Sequence, residues 1–143
     1  MNHFSFWQKW LLVLSGAIAI LGVVLALLGG TPLFDWLNNL INPSFWGTQS
    51  PSVEAIAFRN WVYAVLGAVM ASWGLVLAFI ARYPFARQER WAWDCTISGL
   101  LLWFLIDTAA SLYFKVYANT IGNIGLLVLA SLPLIFTRKQ FAR

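Results

Sequence analysis

Asp107 is the residue whose type and setting indicate a site, because it is a carboxylate inside a long apolar segment. A charged side chain in hydrocarbon costs several kcal/mol, so it usually faces other helices and finds partners there. Ser111 lies one helical turn away, and Asn119 and Asn123 follow across a short turn. This spacing predicts a polar cluster in which Asn123 reaches the depth of Asp107. Trp103, one turn deeper on the same face, is expected to form the floor.

Two interpretations of this candidate polar site stay open on the sequence. In the first, Asp107 and Asn123 are hydrogen-bonded across the helical hairpin and set its register, as polar pairs do in membranes. In the second, Asp107 is a protonatable group in an outward-facing pocket, completed by Ser111 and Thr120. The first is favoured, because no second charge lies inside the apolar segments to continue a relay.

Motifs for catalysis, cofactors and metals are not found. The single cysteine, Cys95, excludes an internal disulfide and a cysteine metal cage, and we expect it to be a buried inert thiol. The single histidine, His3, is expected in a mobile amino terminus, which excludes bis-histidine haem within one chain. Asp94 lies about 20 Å along the helix from Asp107, too far for paired carboxylates. The sequence therefore predicts no catalytic, cofactor-binding or metal-binding residues.

The elements that must position Asp107 follow from composition. Of 143 residues, 61% are hydrophobic and 10% charged, whereas soluble domains carry roughly 25% charged residues. So much apolar surface indicates a lipid solvent. We predict an all-α, polytopic integral membrane protein with one four-helix transmembrane domain over residues 1–143. The four spans are expected at about residues 11–30, 61–81, 91–114 and 119–137, with an outer loop at 31–60. A cleaved signal peptide is the alternative for the first span, but its apolar core would be too long.

Charge distribution predicts the orientation. Seven cations fall on one side of the predicted spans: Lys9, Arg82, Arg87, Arg90, Arg138, Lys139 and Arg143. Only Arg59 and Lys115 fall on the other. The positive-inside rule then places both termini in the cytoplasm, which suits a bacterial inner (plasma) membrane. The net charge of +4 is explained by this placement, because no basic run is long enough to follow a nucleic acid.

The outer loop is predicted to contain a short amphipathic helix lying in the outer membrane interface. Its apolar residues recur at helical spacing, at Leu33, Trp36, Leu37, Leu40 and Ile41. Asn42-Pro43 is expected to end this helix. Ser50-Pro51 is expected to begin another that continues through Arg59 into the second span.

Small residues predict how the spans pack. The first span carries Ser15, Ala19, Gly22, Ala26 and Gly29, and the second carries Ala64, Gly67, Ala71, Gly74, Ala78 and Ala81. Each set forms one stripe with heptad spacing, so we expect the two stripes to face each other in an antiparallel pair. Pro133 in the fourth span removes one backbone hydrogen bond, and we expect neighbouring helices to satisfy the freed carbonyl.

Function is weighed among three classes. The favoured one is a non-enzymatic assembly component that binds lipids, a membrane-protein partner or a second copy through its small-residue faces. The second is a small carrier or proton-coupled transporter that works as an oligomer through Asp107. The third is an intramembrane enzyme acting on an apolar substrate, with Ser111 as nucleophile and Asp107 as base. The sequence leans against an enzyme because no base, nucleophile or metal group accompanies Asp107 convincingly.

Overall fold

The computed structural model describes residues 3–141, which form five α-helices and contain no strand. The helices are α1 (His3–Leu28), α2 (Asp35–Trp46), α3 (Val53–Arg82), α4 (Arg90–Tyr113) and α5 (Tyr117–Thr137). All except α2 are long and apolar enough to cross a membrane. The prediction of an all-helical chain with four such helices is confirmed. Arg143 lies outside the described residues.

Two helix starts differ from the prediction. The first helix begins at His3, ahead of the span expected from about residue 11. His3, which was expected in a mobile amino terminus, therefore lies in a helical turn and accepts a hydrogen bond from Trp7 Nε1 at 3.2 Å. The helix α3 runs unbroken into the second span, as expected, but it begins after Ser52. The Ser52 hydroxyl accepts a hydrogen bond from the Ala55 amide at 3.3 Å, which is the usual N-cap interaction.

The prediction that Asn42-Pro43 ends α2 is wrong, because the helix continues to Trp46. A proline inside a helix leaves the carbonyl four residues earlier without a partner. Here that residue is Asn39, which is exposed, so its carbonyl can be solvated. The helix ends instead at Gly47, whose φ of 59° lies in the region that glycine adopts readily.

The small-residue stripes of α1 and α3 face each other, as predicted. A Cβ atom built on Gly22 would lie 2.6 Å from the Gly67 carbonyl oxygen, and one built on Gly74 would lie 2.8 Å from Ala19 Cα. Both distances are far below van der Waals contact. Only hydrogen at these glycines lets the two backbones approach so closely, which is how transmembrane helices gain packing energy without a hydrophobic drive.

The apolar core is divided between the two ends of the molecule. We call the end with Lys9, Arg82, Arg87, Arg90, Arg138 and Lys139 the basic end, and the opposite end the α2 end. The core at the basic end draws on all four long helices and includes Leu11, Ala81, Phe85, Ala92, Leu100, Ala130, Leu134 and Phe141. The core at the α2 end consists of Leu25, Phe34 and Tyr63, which belong to α1, the turn before α2, and α3. The facing parts of α4 and α5 are polar instead.

Indole side chains join α5 to its neighbours. Trp10 Nε1 on α1 donates a hydrogen bond to the Leu129 carbonyl at 3.0 Å. That carbonyl is the one that Pro133 deprives of its helical donor, so the expectation that a neighbouring helix satisfies it is confirmed. Trp93 Nε1 on α4 donates to the Leu134 carbonyl at 2.9 Å, where α5 gives way to a 3₁₀ turn. The register of α5 against α1 and α4 is therefore held by polar bonds as well as by packing.

Candidate polar site

The turn between α4 and α5 sets the geometry of the candidate site. The Val116 amide donates to the Ser111 carbonyl at 2.8 Å, and the Lys115 amide donates to the Leu112 carbonyl at 3.1 Å. These two bonds form a Schellman motif, with Lys115 in the left-handed position at φ 59°. Such a tight turn starts α5 at once in the antiparallel direction. The first turn of α5 therefore lies beside the last two turns of α4.

A three-residue hydrogen-bond network results from this register. Asn119 Nδ2 donates to Asp107 Oδ1 at 2.7 Å and to Ser111 Oγ at 2.8 Å. The Ser111 hydroxyl lies 2.7 Å from the Asp107 carbonyl oxygen and 3.2 Å from Asp107 Oδ1. One amide hydrogen of Asn119 bonds Asp107 and the other bonds Ser111, while the single hydroxyl hydrogen of Ser111 bonds one of the two Asp107 oxygens. The network therefore needs no hydrogen-bond donor from outside these three residues.

Asn123 lies near the predicted depth but does not pair with Asp107. It is 4% exposed, and its Nδ2 donates to Thr108 Oγ1 at 3.3 Å, whereas Asn119 takes the position beside Asp107. The expected Asp107–Asn123 pair is wrong for a geometric reason. The Schellman turn brings α5 back so sharply that Asn119, already in its first turn, reaches the level of Asp107.

Trp103 and Thr120 also lie near the hairpin. The Trp103 ring packs on Trp73 of α3, with 6.0 Å between ring centroids. It therefore joins α4 to the α1–α3 pair one turn deeper than Asp107. Thr120 Oγ1 is buried and has no hydrogen-bond partner within residues 3–141. The structure thus brings Asp107, Ser111 and Asn119 into direct contact, and places Asn123 against Thr108 in the same hairpin.

The network is open on one side. Asn119 is exposed and Asp107 is half-buried. Every Asp107 side-chain hydrogen bond in the described part of the chain reaches Oδ1, so Oδ2 remains available as an acceptor. A carboxylate oxygen held in this way can accept a hydrogen bond or pair with a cation. The Ser111 hydroxyl lies 3.2 Å from Asp107 Oδ1, so this carboxylate is the group that a nucleophilic serine would have to use as its base.

The centre of the molecule is filled on the basic side of this network. The central cavity has a volume of about 10 Å³ and is lined mainly by leucines and other apolar side chains. That is room for about one water molecule. Ser15 and Thr96 border it, but each hydroxyl donates to a carbonyl of its own helix at 2.7 Å. The two hydroxyls that border this cavity are therefore already bonded within their own helices.

The side chains that could bind a metal ion, and the thiol of Cys95, can be placed in the structure as well. Across residues 3–141, no three carboxylate, imidazole or thiol side chains come together as a metal site. Cys95, expected to be buried, is exposed. The buried face of α4 follows Ala92, Thr96 and Leu100, and Cys95 lies beside that line rather than on it.

Comparison with protein-family models, with characterised proteins and with solved structures finds no match to this chain.

A second polar group was not identified from the sequence. Where α2 packs on α3, Tyr63 donates its hydroxyl hydrogen to Asn38 Oδ1 at 2.9 Å, and Arg59 Nη1 lies 3.4 Å from Asn42 Oδ1. Asn38 is 4% exposed. The signal for it was present, because Asn38 and Asn42 are four residues apart on one face of α2. The polar face of α2 therefore meets α3, while Trp36 and other apolar residues point outward.

Proposed function

We propose that the protein is a non-enzymatic component of a bacterial inner membrane that binds a second membrane molecule through the α2-end half of the α4–α5 hairpin. The chain would insert as a four-helix bundle with the basic end in the cytoplasm. Six described cations lie at that end, and only Arg59 and Lys115 lie at the other, which fits the positive-inside rule. The exposed apolar face of α2 would then rest in the outer interface.

One observation carries the binding proposal, which is the uncovered polar network on an otherwise apolar hairpin. Asp107 lies six residues before the end of α4, about 9 Å along the helix axis. At that depth the open side of the half-buried Asp107 would meet hydrocarbon, at a cost of several kcal/mol unless something polar covers it. A partner helix or lipid that offers a hydrogen-bond donor to Asp107 Oδ2 would remove that cost.

The experiment is native mass spectrometry of the protein released from nanodiscs made from its own host membrane. The wild type should retain a protein partner, a lipid or a second copy in defined stoichiometry. Asp107→Leu and Asn119→Ala should lose it, whereas Asp107→Asn should keep it because an amide oxygen still accepts a hydrogen bond. Asn123→Ala is the matched control, since it breaks a bond inside the same hairpin without touching the exposed network.

Two results would overturn the proposal. One is equal retention of the bound molecule by the wild type, Asp107→Leu and Asn119→Ala. The other is a bare homo-oligomer that conducts a pH-dependent flux abolished by Asp107→Asn, which would establish the carrier alternative instead. The small size and apolar lining of the central cavity favour binding over transport within one chain, because a carrier would need a polar path through its centre.

A further inference from the structure

A second candidate site lies at the basic end, where α3 ends and α4 begins. An open groove of about 340 Å³ occupies this junction. That volume is within the range of small-ligand sites. The groove is distant from Asp107, which is near the other end of α4, so the site is separate from the proposed partner-binding face.

The wall of the groove is held rigidly by the loop between α3 and α4. Phe85 is fully buried there and packs on Phe4 and Phe141, with ring centroids 6.1 and 4.7 Å away. The loop backbone is closed by hydrogen bonds from the Arg87 amide to the Tyr83 carbonyl at 3.1 Å and from the Glu89 amide to the Pro84 carbonyl at 3.0 Å. A loop fixed in this way loses little entropy when a ligand binds.

The groove changes from apolar to charged along its length, and Arg87 and Glu89 line its charged part. Phe79, Ile80 and Tyr83 line the part next to the apolar segment of α3. The rings of Phe79 and Tyr83 are stacked, with centroids 6.0 Å apart, and both are about half exposed. The Arg82 guanidinium lies over the Tyr83 ring at 5.8 Å, and Arg87 is one of the lining residues. This order matches an amphiphile with an anionic head.

Arg87 keeps most of its capacity to bind an anion. Its closest carboxylate oxygen, Glu89 Oε1, lies 3.9 Å away, and the Arg87 side chain is 73% exposed, so the pair contributes little. The other Glu89 oxygen accepts the Trp91 indole hydrogen at 2.7 Å, and because both residues line the groove, this carboxylate offsets one of the nearby cations. Arg90, by contrast, lies 3.7 Å from Asp94 on its own helix and does not line the groove.

We propose that this groove binds one anionic phospholipid of the surrounding membrane. Its phosphate would pair with Arg87, and the part of an acyl chain nearest the headgroup would lie on Phe79 and Ile80. Guanidinium binds phosphate oxygens through charge-assisted hydrogen bonds. Arg82 and Arg87 together outnumber the Glu89 carboxylate by one charge, so a headgroup with a net negative charge is favoured over a zwitterionic one. The inference rests on the membrane insertion proposed above but does not depend on the Asp107 face.

The test uses the full chain in nanodiscs that contain equal amounts of phosphatidylglycerol and phosphatidylcholine with the same acyl chains. Native mass spectrometry then counts the lipids that remain after release. The wild type should retain one phosphatidylglycerol in preference to phosphatidylcholine. The charge-conserving double variant R87Q/Q88R moves the cation out of the groove, and it should lower that preference about tenfold, the worth of one charge-assisted hydrogen bond.

Two further variants make the result decisive. R90Q removes a cation from the same segment but outside the groove, and its lipid preference should stay within about twofold of the wild type, because exposed charges are screened. D107L should retain the groove lipid even when it loses its partner, so failure of one proposal is distinguishable from failure of the other. Equal losses in R87Q/Q88R and R90Q, or equal retention of both lipids by the wild type, would overturn the inference.

Discussion

Replacing Gly67 by alanine should separate α1 from α3. The added methyl group would lie 2.8 Å from Ala26 Cα and 2.5 Å from the Gly22 carbonyl oxygen, and both are backbone atoms that cannot turn away. Restoring an ordinary contact of about 3.4 Å requires the helices to move apart by nearly 1 Å. A gap of that size forfeits roughly a quarter to a half of each dispersion contact along the stripe.

The expected cost is about 1–3 kcal/mol of unfolding free energy, the usual range for overpacking. Alanine also favours the helix over glycine by up to about 1 kcal/mol, which offsets part of this cost. Gly16→Ala is the matched control, because a Cβ at Gly16 of α1 meets no atom within 4 Å. It gains the same helix preference without a clash, so the difference between the two variants isolates the contact.

The assay is unfolding in mixed micelles with increasing dodecyl sulfate, followed by circular dichroism and tryptophan fluorescence. Gly67→Ala should unfold at a lower dodecyl sulfate fraction than Gly16→Ala. The double variant Gly22→Ala/Gly67→Ala should cost less than the sum of its parts, since one displacement relieves both contacts. Identical unfolding curves for Gly67→Ala and Gly16→Ala would refute the close packing of α1 on α3.

Three further predictions concern single polar or backbone features. Trp10→Phe should cost about 1 kcal/mol of unfolding free energy, because it leaves the Leu129 carbonyl unpaired. In a Pro133→Ala background, which restores the helical donor to that carbonyl, the same assay should show almost no cost. Lys115→Gly should stabilise the protein by about 1 kcal/mol by relieving the left-handed backbone, and an unchanged midpoint would contradict that strain. Tyr63→Phe should cost about 1 kcal/mol and speed amide exchange in α2, measured by deuterium uptake, because a buried amide oxygen loses its donor.

The number and length of the helices could be predicted from the sequence because they depend on local properties. Twenty consecutive apolar residues favour a helix in lipid whatever they pack against. The contact between α1 and α3 was also predictable, since glycines and alanines at heptad spacing give each helix one face on which another helix backbone can approach closely. Helix ends were less certain, and α2 continued past Pro43 because an exposed carbonyl tolerates the missing donor.

The candidate site was predictable in its members but not in its pairing. Asp107 and two asparagines on a short hairpin had to be near one another, yet a turn that differs by one residue rotates α5 by about 100°. The left-handed conformation of Lys115 decided that Asn119 rather than Asn123 meets Asp107. A lysine carries no preference for that conformation, so the sequence offered no sign of it.

The sequence by itself therefore determined which segments are apolar helices, which two of them pack through small residues, and which carboxylate lies within a long apolar helix. Tertiary structure alone decided the partners of single polar groups. The Trp10 indole pairs with the Leu129 carbonyl, and Tyr63 pairs with Asn38 across more than twenty residues of chain. The reason is that helix formation depends on neighbours in sequence, whereas a hydrogen bond of 3 Å depends on where whole helices come to rest.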